Sequence, residues 1–270
     1  MAHIICIANQ KGGVGKTTTA VNLSAALAAA GKNTLLVDCD SQGNATTGLG
    51  IDKNGLERTL YHGLIGQAGA DEIVMKTGVK RLWAIPSRVE LIGFEVEMMA
   101  DPAREQKMRQ LLAPCVDRFD YVLLDCPPSL SLLTINAMTA ANGVLIPLQS
   151  EFYALEGLAQ LMQTVKRIKQ RMNPDLKIEG ILLTLFDRRT NLSGQVAEDA
   201  EKYFKELVYK TRIPRTIRLA EAPSYGKPIL LYDPTSLGSK SYLSLAREIV
   251  KGRKAGSAAG VTASRKSEAN

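Results

Sequence analysis

The amino-acid sequence predicts an α/β fold, with one mostly parallel, doubly wound sheet and helices on both of its faces. Short apolar runs rich in Ile, Leu and Val alternate along the chain with longer segments of helical periodicity, which is the order of a parallel sheet with crossover helices. A glycine-rich loop joins the first apolar run to the first helical segment. The 270 residues are 45% hydrophobic and 23% charged, a globular composition that excludes wholesale disorder.

The individual elements follow from the same patterns. Isoleucines predict a first buried strand at 3–8, and alanines followed by a glycine predict a first helix at 16–30. Two more buried strands, at 33–37 and 121–124, run into aspartates. The remaining predictions are strands at 81–85, 143–147, 178–185 and 209–213, and helices at 104–115, 131–141, 155–172, 194–207 and 240–251. Residues 44–80 are weakly patterned, which indicates loops and short helices.

The domain organisation and the charge are linked at the C-terminus. We predict one domain, residues 1–251, and a disordered basic tail, residues 252–270, which is rich in glycine and has no apolar face. The net charge is +7, and residues 251–270 hold five Lys and Arg against one Glu. The net positive charge favours a polyanionic partner. About half of this charge lies in the tail, however, and a solvated tail that binds nothing would explain that half equally well.

Several protein classes do not fit the sequence. No run reaches the ~18 apolar residues of a membrane span, and the N-terminus lacks the basic start and long apolar stretch of a secretory signal. The four cysteines have neither CxxC spacing nor histidine partners, which argues against a zinc site and a disulfide framework. We therefore expect a cytoplasmic protein with no membrane partner.

The glycine-rich loop at 10–18, QKGGVGKTT, is the most informative segment. It follows a predicted strand and opens a predicted helix, which is the context of a phosphate-binding loop. Lys16 would reach the β- and γ-phosphates, and the Thr17 hydroxyl would ligate Mg²⁺. The residues that we expect to contact the nucleotide here are Lys11, Gly12, Gly13, Val14, Gly15, Lys16, Thr17 and Thr18. The loop thus predicts a P-loop NTPase-like fold.

Carboxylates end two strands that we expect beside this loop. Asp38 and Asp40 follow the strand at 33–37, and Asp125 follows the strand at 121–124. In a doubly wound sheet the carboxyl ends of the central strands lie next to the phosphate loop. Asp125 is placed like a Walker B aspartate that holds Mg²⁺ through water, and Asp40 could orient or deprotonate the attacking water. A single aspartate in such a position is more often a turn residue.

The loop departs from the general pattern G-x-x-x-x-G-K-S/T, because Gln10 replaces the first glycine and a second lysine, Lys11, follows it. The segment KGGVGKT resembles the deviant Walker A motif, K-G-G-x-G-K-S/T, of the ParA/MinD ATPase superfamily. Further blocks resemble the ParA/Soj-type chromosome and plasmid partition ATPases, in the family's order, over residues 2–250. They are DCDSQGN at 38–44, DCPPS at 125–129, YALEG at 153–157, IPR at 213–215 and EAPSYGKP at 221–228.

This resemblance implies a slow ATPase that forms a homodimer when ATP and Mg²⁺ are bound. In that family the early lysine reaches across the interface to the partner's nucleotide, so Lys11 would take a catalytic role beside Lys16 and Asp40. Gly12 would lie at a tight contact between the subunits. Pro214 and Thr216 would lie against the adenine, although Asn is common in the family where Thr216 stands. The chain has no Asn-Lys-x-Asp sequence, which favours ATP over GTP.

The resemblance also implies double-stranded DNA as a partner, bound without sequence preference by the ATP dimer. It places Arg189 and Arg218 on the DNA face, where phosphate contacts would carry the affinity without base readout. A single surface arginine is more often only a solvated charge. DNA and a ParB-type centromere-binding protein would stimulate hydrolysis, which releases the protein from DNA. The protein would then be cytoplasmic and associated with the nucleoid.

Other functions of the same superfamily make different demands on the residues. An ATP switch that positions a non-DNA cargo, or controls a transcription factor, would use the same loop and stays open. A membrane-cycling MinD-type protein should end in an amphipathic helix, but Val261 is the only bulky apolar residue of 252–270. An iron–sulfur carrier needs bridging cysteines, and a ligase of dethiobiotin-synthetase type would not need Lys11. The sequence does not distinguish a chromosome from a plasmid as cargo.

Overall fold

The computed structural model describes residues 2–151 and 154–267. Seven strands lie in these residues: β1 His3–Ile7, β2 Thr34–Asp38, β3 Met75–Lys76, β4 Leu82–Ile85, β5 Tyr121–Asp125, β6 Gly143–Gln149 and β7 Lys177–Thr184. The helices are α1 Lys16–Ala29, α2 Asn44–Gly48, α3 Leu60–Leu64, α4 Ala70–Ile73, α5 Gly93–Glu97, α6 Lys107–Leu112, α7 Leu132–Ala140, α8 Ala154–Arg171, α9 Asn191–Phe204, α10 Ile217–Glu221, α11 Ile229–Tyr232 and α12 Leu237–Ser267.

The strands form one sheet in the order β3-β4-β2-β5-β1-β6-β7. Neighbouring strands pair in parallel except β3 and β4, which are antiparallel, so the predicted mostly parallel, doubly wound sheet is confirmed. The strand order reverses at β1 and β5, and the register there pairs Ile7 with Asp125 and Asp38 with Asp125. Ligands of such sheets bind at this reversal, outside the carboxyl ends of the strands.

The apolar side chains of the central strands alternate between two cores. On β5, Val122 and Leu124 pack in the core that α3, α6, α7 and α8 cover, whereas Tyr121 and Leu123 pack against α1 and α12. All four side chains are at most 1% exposed. Burial of each leucine or valine contributes about 1.5–3 kcal/mol. A strand buried on both faces therefore reads as a continuous apolar run, which is why these strands were predictable.

The predicted strand at 209–213 is wrong. Residues of this segment run along the edge of β7, where the N–H groups of Tyr209 and Ile213 bond to β7 carbonyls. Isolated bridges form just outside it, at Val208 and Pro214. Between them, the N–H groups of Lys210 and Thr211 donate to the carboxylate of Glu248 at 2.8 and 3.2 Å. A side chain from α12 thus satisfies donors that a regular strand would pair with its neighbour.

The closing helix also differs from the prediction, because the backbone of α12 is helical through Ser267 and not only to Lys251. Alanine, lysine and arginine, which favour helix, make up half of residues 252–267 and oppose the glycines there. The basic tail at 252–270 stays a prediction as a separate segment; its described part, up to Ser267, has a helical backbone, and residues 268–270 lie outside the described residues. The division at residue 251 stays a prediction. In the part of the chain described here, no helix has the length and hydropathy needed to cross a membrane.

Candidate functional site

The glycine-rich loop connects β1 to α1 at the centre of the sheet. Gly13 and Gly15 have φ angles of 73° and 82°, in the left-handed region that glycine adopts without strain. Gly15 is the residue before α1, and no side chain caps the helix there. The first N–H groups of α1 are therefore free of side-chain acceptors and form an anion-binding helix start.

Neighbouring strands hold this loop in shape. The Asn9 side chain donates to the carbonyl of Pro147 on β6 at 2.7 Å and accepts from the N–H of Lys11 at 3.0 Å. At the end of β7, the Thr184 hydroxyl donates to the carbonyl of Val14 at 2.8 Å. Neither Asn9 nor Thr184 was among the predicted site residues. The signal for Asn9 was its place directly before the loop, whereas no sequence pattern marks Thr184.

Lys16 lies inside the loop and is only 6% exposed. Its ammonium donates to the carbonyl of Lys11 at 3.0 Å, across the loop. Burial lowers the pKa of Lys16, and the nearby carboxylate of Asp125 acts in the opposite direction. A desolvated ammonium beside free helix N–H groups is a strong site for phosphate oxygens.

Lys11, the second lysine of the loop, has its ammonium in a different place. It pairs with the carboxylate of Glu151, beyond the end of β6, and both side chains are about half exposed. The amide of Gln149 donates to the other oxygen of Glu151. Next to Lys11, a Cβ added at Gly12 would meet no atom within 4 Å. Lys11 and Gly12 thus lie on an open surface of the subunit, and Glu151 was missed by the sequence analysis.

Asp125 ends β5 with both carboxylate oxygens buried and without a hydrogen-bond partner among the described residues. Burial, and then the Asp38 carboxylate, raise its pKa well above the ordinary value; the Thr17 hydroxyl lowers it in part, without a bond of regular geometry. Buried polar atoms are nearly always satisfied, and a carboxylate without a hydrogen-bond partner suits a cation. Mg²⁺ prefers such hard oxygen ligands, and the residues present therefore fit the predicted metal site of Thr17 and Asp125.

Asp38 is the last residue of β2, which lies beside β5, and Asp40 follows the strand by two positions. The Asp38 carboxylate accepts from the N–H and the hydroxyl of Thr46 at 2.8 and 2.7 Å, and burial raises the pKa of Asp38 to about 6. Asp38 also accepts from the N–H of Asp40 at 3.2 Å. Asp40 is half-buried and accepts from the N–H of Gln42 at 3.0 Å. Asp38 thus fixes the turn that carries Asp40. Asp40 stabilises the same turn through its bond to Gln42.

The predicted adenine residues lie next to the phosphate loop. Pro214 and Thr216 line a mainly apolar cavity of about 110 Å³ together with Gly15 and Thr18. The hydroxyl of Thr216 accepts from the N–H of Leu219 at 3.3 Å and so caps α10. The structure brings both residues to one cavity, but the Thr216 hydroxyl already has a partner in its own chain.

The predicted DNA residues are both exposed, and neither lines the cavity beside the phosphate loop. Arg189 lies in the loop between β7 and α9 with 89% of its side chain exposed, and Arg218 lies on α10 with 57% exposed. Arg189 lines a cavity of about 450 Å³ with three further arginines, Arg188, Arg212 and Arg215. Pro214 and Thr216 line both cavities, so the arginine cluster adjoins the apolar cavity beside the phosphate loop. Arg218 does not line it.

Known proteins are similar to this chain over most of its length. A family model described as an AAA domain matches residues 2–178. The chain is 54% identical over 249 residues to the sporulation initiation inhibitor protein Soj of Bacillus subtilis (strain 168), covering 92% of this chain and 98% of that protein. It is 52% identical over 251 residues to the chromosome partitioning protein ParA of Myxococcus xanthus (strain DK1622), covering 93% and 89%.

A solved structure gives the same picture for the fold. Cobyrinic acid a,c-diamide synthase from Mycobacterium smegmatis, with bound ADP and magnesium, aligns with a TM-score of 0.84 at 36% identity, covering 95% of this chain and 97% of that chain. The likeness extends over nearly the whole sheet and its helices, and it confirms the P-loop NTPase-like fold.

Proposed function

Because this chain belongs to the ParA/Soj family of chromosome-partitioning ATPases, we propose that it dimerises on ATP, binds DNA without sequence preference and leaves DNA on hydrolysis. The observation that carries the proposal is the buried pair of Lys16 and Asp125, a cation and an orphaned carboxylate, at the helix start of the glycine-rich loop. This pair suits a nucleoside triphosphate together with Mg²⁺.

The residues of one subunit divide the chemistry among them. Lys16 and the first N–H groups of α1 bind the phosphates and stabilise the charge that develops on them. Thr17 and, through water, Asp125 would hold Mg²⁺, which when bound would neutralise charge on the phosphate oxygens. Asp40, on the turn that Asp38 fixes, orients the attacking water. Pro214 and Thr216 pack against the adenine.

We do not propose a diamide synthase activity for this chain, although a solved structure of that name is similar to it. The extra loop lysine, Lys11, lies on the subunit surface, where it suits contact with a second subunit. The greater identity to the partitioning protein of Myxococcus xanthus supports the same choice. A second function, control of transcription by the same ATP cycle, is favoured by the name of the Bacillus subtilis relative, a sporulation initiation inhibitor.

The dimer would form on the surface that carries Lys11 and Gly12. Gly12→Val should leave ATP binding within about twofold, because a single subunit has open space at this position, yet block dimerisation by steric overlap with the second subunit. Sedimentation velocity with a slowly hydrolysed ATP analogue measures this. A Gly12→Val dimer of parental stability would contradict the assignment, and Gly78→Val, at another exposed glycine with open space, is the matched control.

The DNA face is tested by the salt dependence of binding. Arg189→Ala with Arg218→Ala would remove four phosphate contacts per dimer, so the slope of log K against log salt should flatten by about 3–4 units. Binding should weaken equally on unrelated duplexes, because no base edge is read. Deletion of residues 252–270 tests the competing source of charge. If the deletion abolishes binding and the double variant keeps its slope, the assignment to Arg189 and Arg218 is wrong.

The partner protein would be a ParB-type centromere-binding protein that stimulates hydrolysis, as DNA also would, and the chain would be cytoplasmic and associated with the nucleoid. A ParB-like reading frame beside this gene would support partition over the regulatory alternative. Stimulation of ATP turnover by that neighbouring gene product, measured by phosphate release with and without DNA, tests the pairing directly.

A further inference from the structure

We infer that the carboxylates of Asp187, Glu221 and Asp233 are internal counterions of the DNA face, which hold Arg189 and Arg218 until DNA phosphates displace them. The inference rests on the proposed DNA binding by these two arginines. It adds a second set of residues, all acidic, that determines the affinity of this face for DNA and the salt concentration at which DNA dissociates.

Arg189 is held on its own loop by a bidentate ion pair. Its Nε and Nη2 donate to Oδ1 and Oδ2 of Asp187 at 2.9 and 2.7 Å, the fork geometry that gives the strongest carboxylate pairs. Asp187 is only 22% exposed, whereas Arg189 projects into solvent. The guanidinium lowers the pKa of Asp187 to about 2, so this carboxylate is charged at every physiological pH. One full negative charge therefore faces the arginine.

Arg218 is held from two sides. Its Nη1 lies 3.2 Å from a carboxylate oxygen of Glu221, one turn along α10, and its Nε lies 3.5 Å from Asp233 after α11. The hydroxyl of Tyr232 donates to the same Glu221 oxygen at 3.1 Å, which fixes that carboxylate beside the arginine. Two carboxylates share one guanidinium here, so the immediate surroundings of Arg218 carry net negative charge.

The other arginines of the face differ in this respect. Among the described residues, no carboxylate lies within ion-pair distance of Arg188 or Arg215, which line the same cavity as Arg189. In the described part of the chain, a DNA phosphate meets no salt-bridged carboxylate at these two arginines, although Arg215 is close enough to Asp187 to lower the pKa of that carboxyl. To meet Arg189 or Arg218 it must displace a carboxylate and then lie near its charge, which costs part of the Coulomb energy gained.

Such an exchange has a use in an ATP-dependent DNA binder. Each subunit alone would offer two of these four arginines without an ion-paired carboxylate among the described residues and would bind DNA weakly. Two subunits together double the phosphate contacts, and the affinity of the pair is then roughly the product of the single affinities. Internal counterions therefore keep the single subunit below the threshold for DNA binding while the dimer stays above it.

The test is the duplex affinity of Asp187→Asn, measured by fluorescence anisotropy with a slowly hydrolysed ATP analogue over a range of salt. Asparagine keeps the Oδ1 acceptor that the N–H of Arg189 uses at 3.0 Å, so the loop should keep its shape. We expect binding to tighten by about two- to tenfold for the dimer, with a steeper salt slope. The control Asp199→Asn removes the same charge from the exposed face of α9, where the structure describes no ion pair for this residue, and should change the affinity less than about twofold.

A second arm frees Arg218 by combining Glu221→Gln with Asp233→Asn, and it decides the question if Asp187→Asn does not fold. In an Arg189→Ala background, Asp187→Asn should fall to the effect of the Asp199→Asn control. If Arg189→Ala weakens binding but both charge-neutralised variants match the control or bind more weakly, the counterion inference is wrong and the DNA face stands. If Arg189→Ala and Arg218→Ala leave binding unchanged, the proposed DNA face itself is wrong.

Discussion

Lys16→Ala should abolish ATP binding, with a loss of affinity of at least about 10²-fold. Lys16 is the buried cation of the loop, held beside the Lys11 carbonyl and the charge of Asp125. Its replacement leaves the phosphate charge and Asp125 without that partner, and an uncompensated buried charge costs about 3–5 kcal/mol. Isothermal titration calorimetry with ATP and Mg²⁺ measures the loss.

A matched control lies in the same loop. Lys11→Ala removes the same side chain, but the Lys11 ammonium pairs with Glu151 at the surface of a single subunit. We therefore expect Lys11→Ala to keep ATP affinity within a few-fold and to fail in dimerisation. Undiminished ATP affinity in Lys16→Ala, or equal losses in both variants, would contradict the division of roles between the two lysines.

Asp40→Ala should slow ATP hydrolysis by about 10²–10⁴-fold, which is the usual contribution of a positioned acid–base group. ATP and Mg²⁺ should stay bound, because Lys16, Thr17 and Asp125 are untouched. The variant would accumulate as a long-lived dimer on DNA, since release depends on hydrolysis. Phosphate release in single-turnover conditions, together with calorimetry for ATP affinity, separates the chemical step from binding.

Asp40→Asn distinguishes the two roles that the structure allows for this residue. Asparagine keeps the Oδ1 acceptor for the N–H of Gln42, so the turn is preserved while the carboxylate charge is lost. We expect Asp40→Asn to be nearly as slow as Asp40→Ala. Parental turnover in Asp40→Asn would show that Asp40 matters only as a turn residue, and the assignment as a water-orienting group would be wrong.

Local patterns were sufficient to predict most of the sheet and the phosphate loop. Strands buried on both faces appear as apolar runs in the sequence. Glycines between a predicted strand and a predicted helix indicate the phosphate loop. The carboxylates of Asp38 and Asp125 became neighbours because parallel strands bring their carboxyl ends to one edge. That rule needs no knowledge of side-chain contacts.

The features that escaped prediction depend on contacts between distant parts of the chain. The Glu248 carboxylate accepts from N–H groups of the segment at 209–213, which is therefore irregular and not a strand. The Glu151 carboxylate pairs with Lys11, which lies 140 positions earlier in the sequence. Thr184, at the end of the edge strand β7, donates its hydroxyl to the carbonyl of Val14 in the loop. The pairing of Asp187 with Arg189 is local, but one sequence cannot tell such a pair from two solvated charges.

The most direct test of the account is the affinity of the unmodified chain for two unrelated DNA duplexes of equal length. It is measured by fluorescence anisotropy with a slowly hydrolysed ATP analogue, with ADP and without nucleotide, at one fixed salt concentration. We predict binding of both duplexes with equal affinity in the presence of the ATP analogue and a loss of at least about tenfold with ADP or no nucleotide. Equal affinity in all three nucleotide states, or a marked preference for one duplex, would contradict an ATP-dependent dimer that binds DNA without reading its sequence.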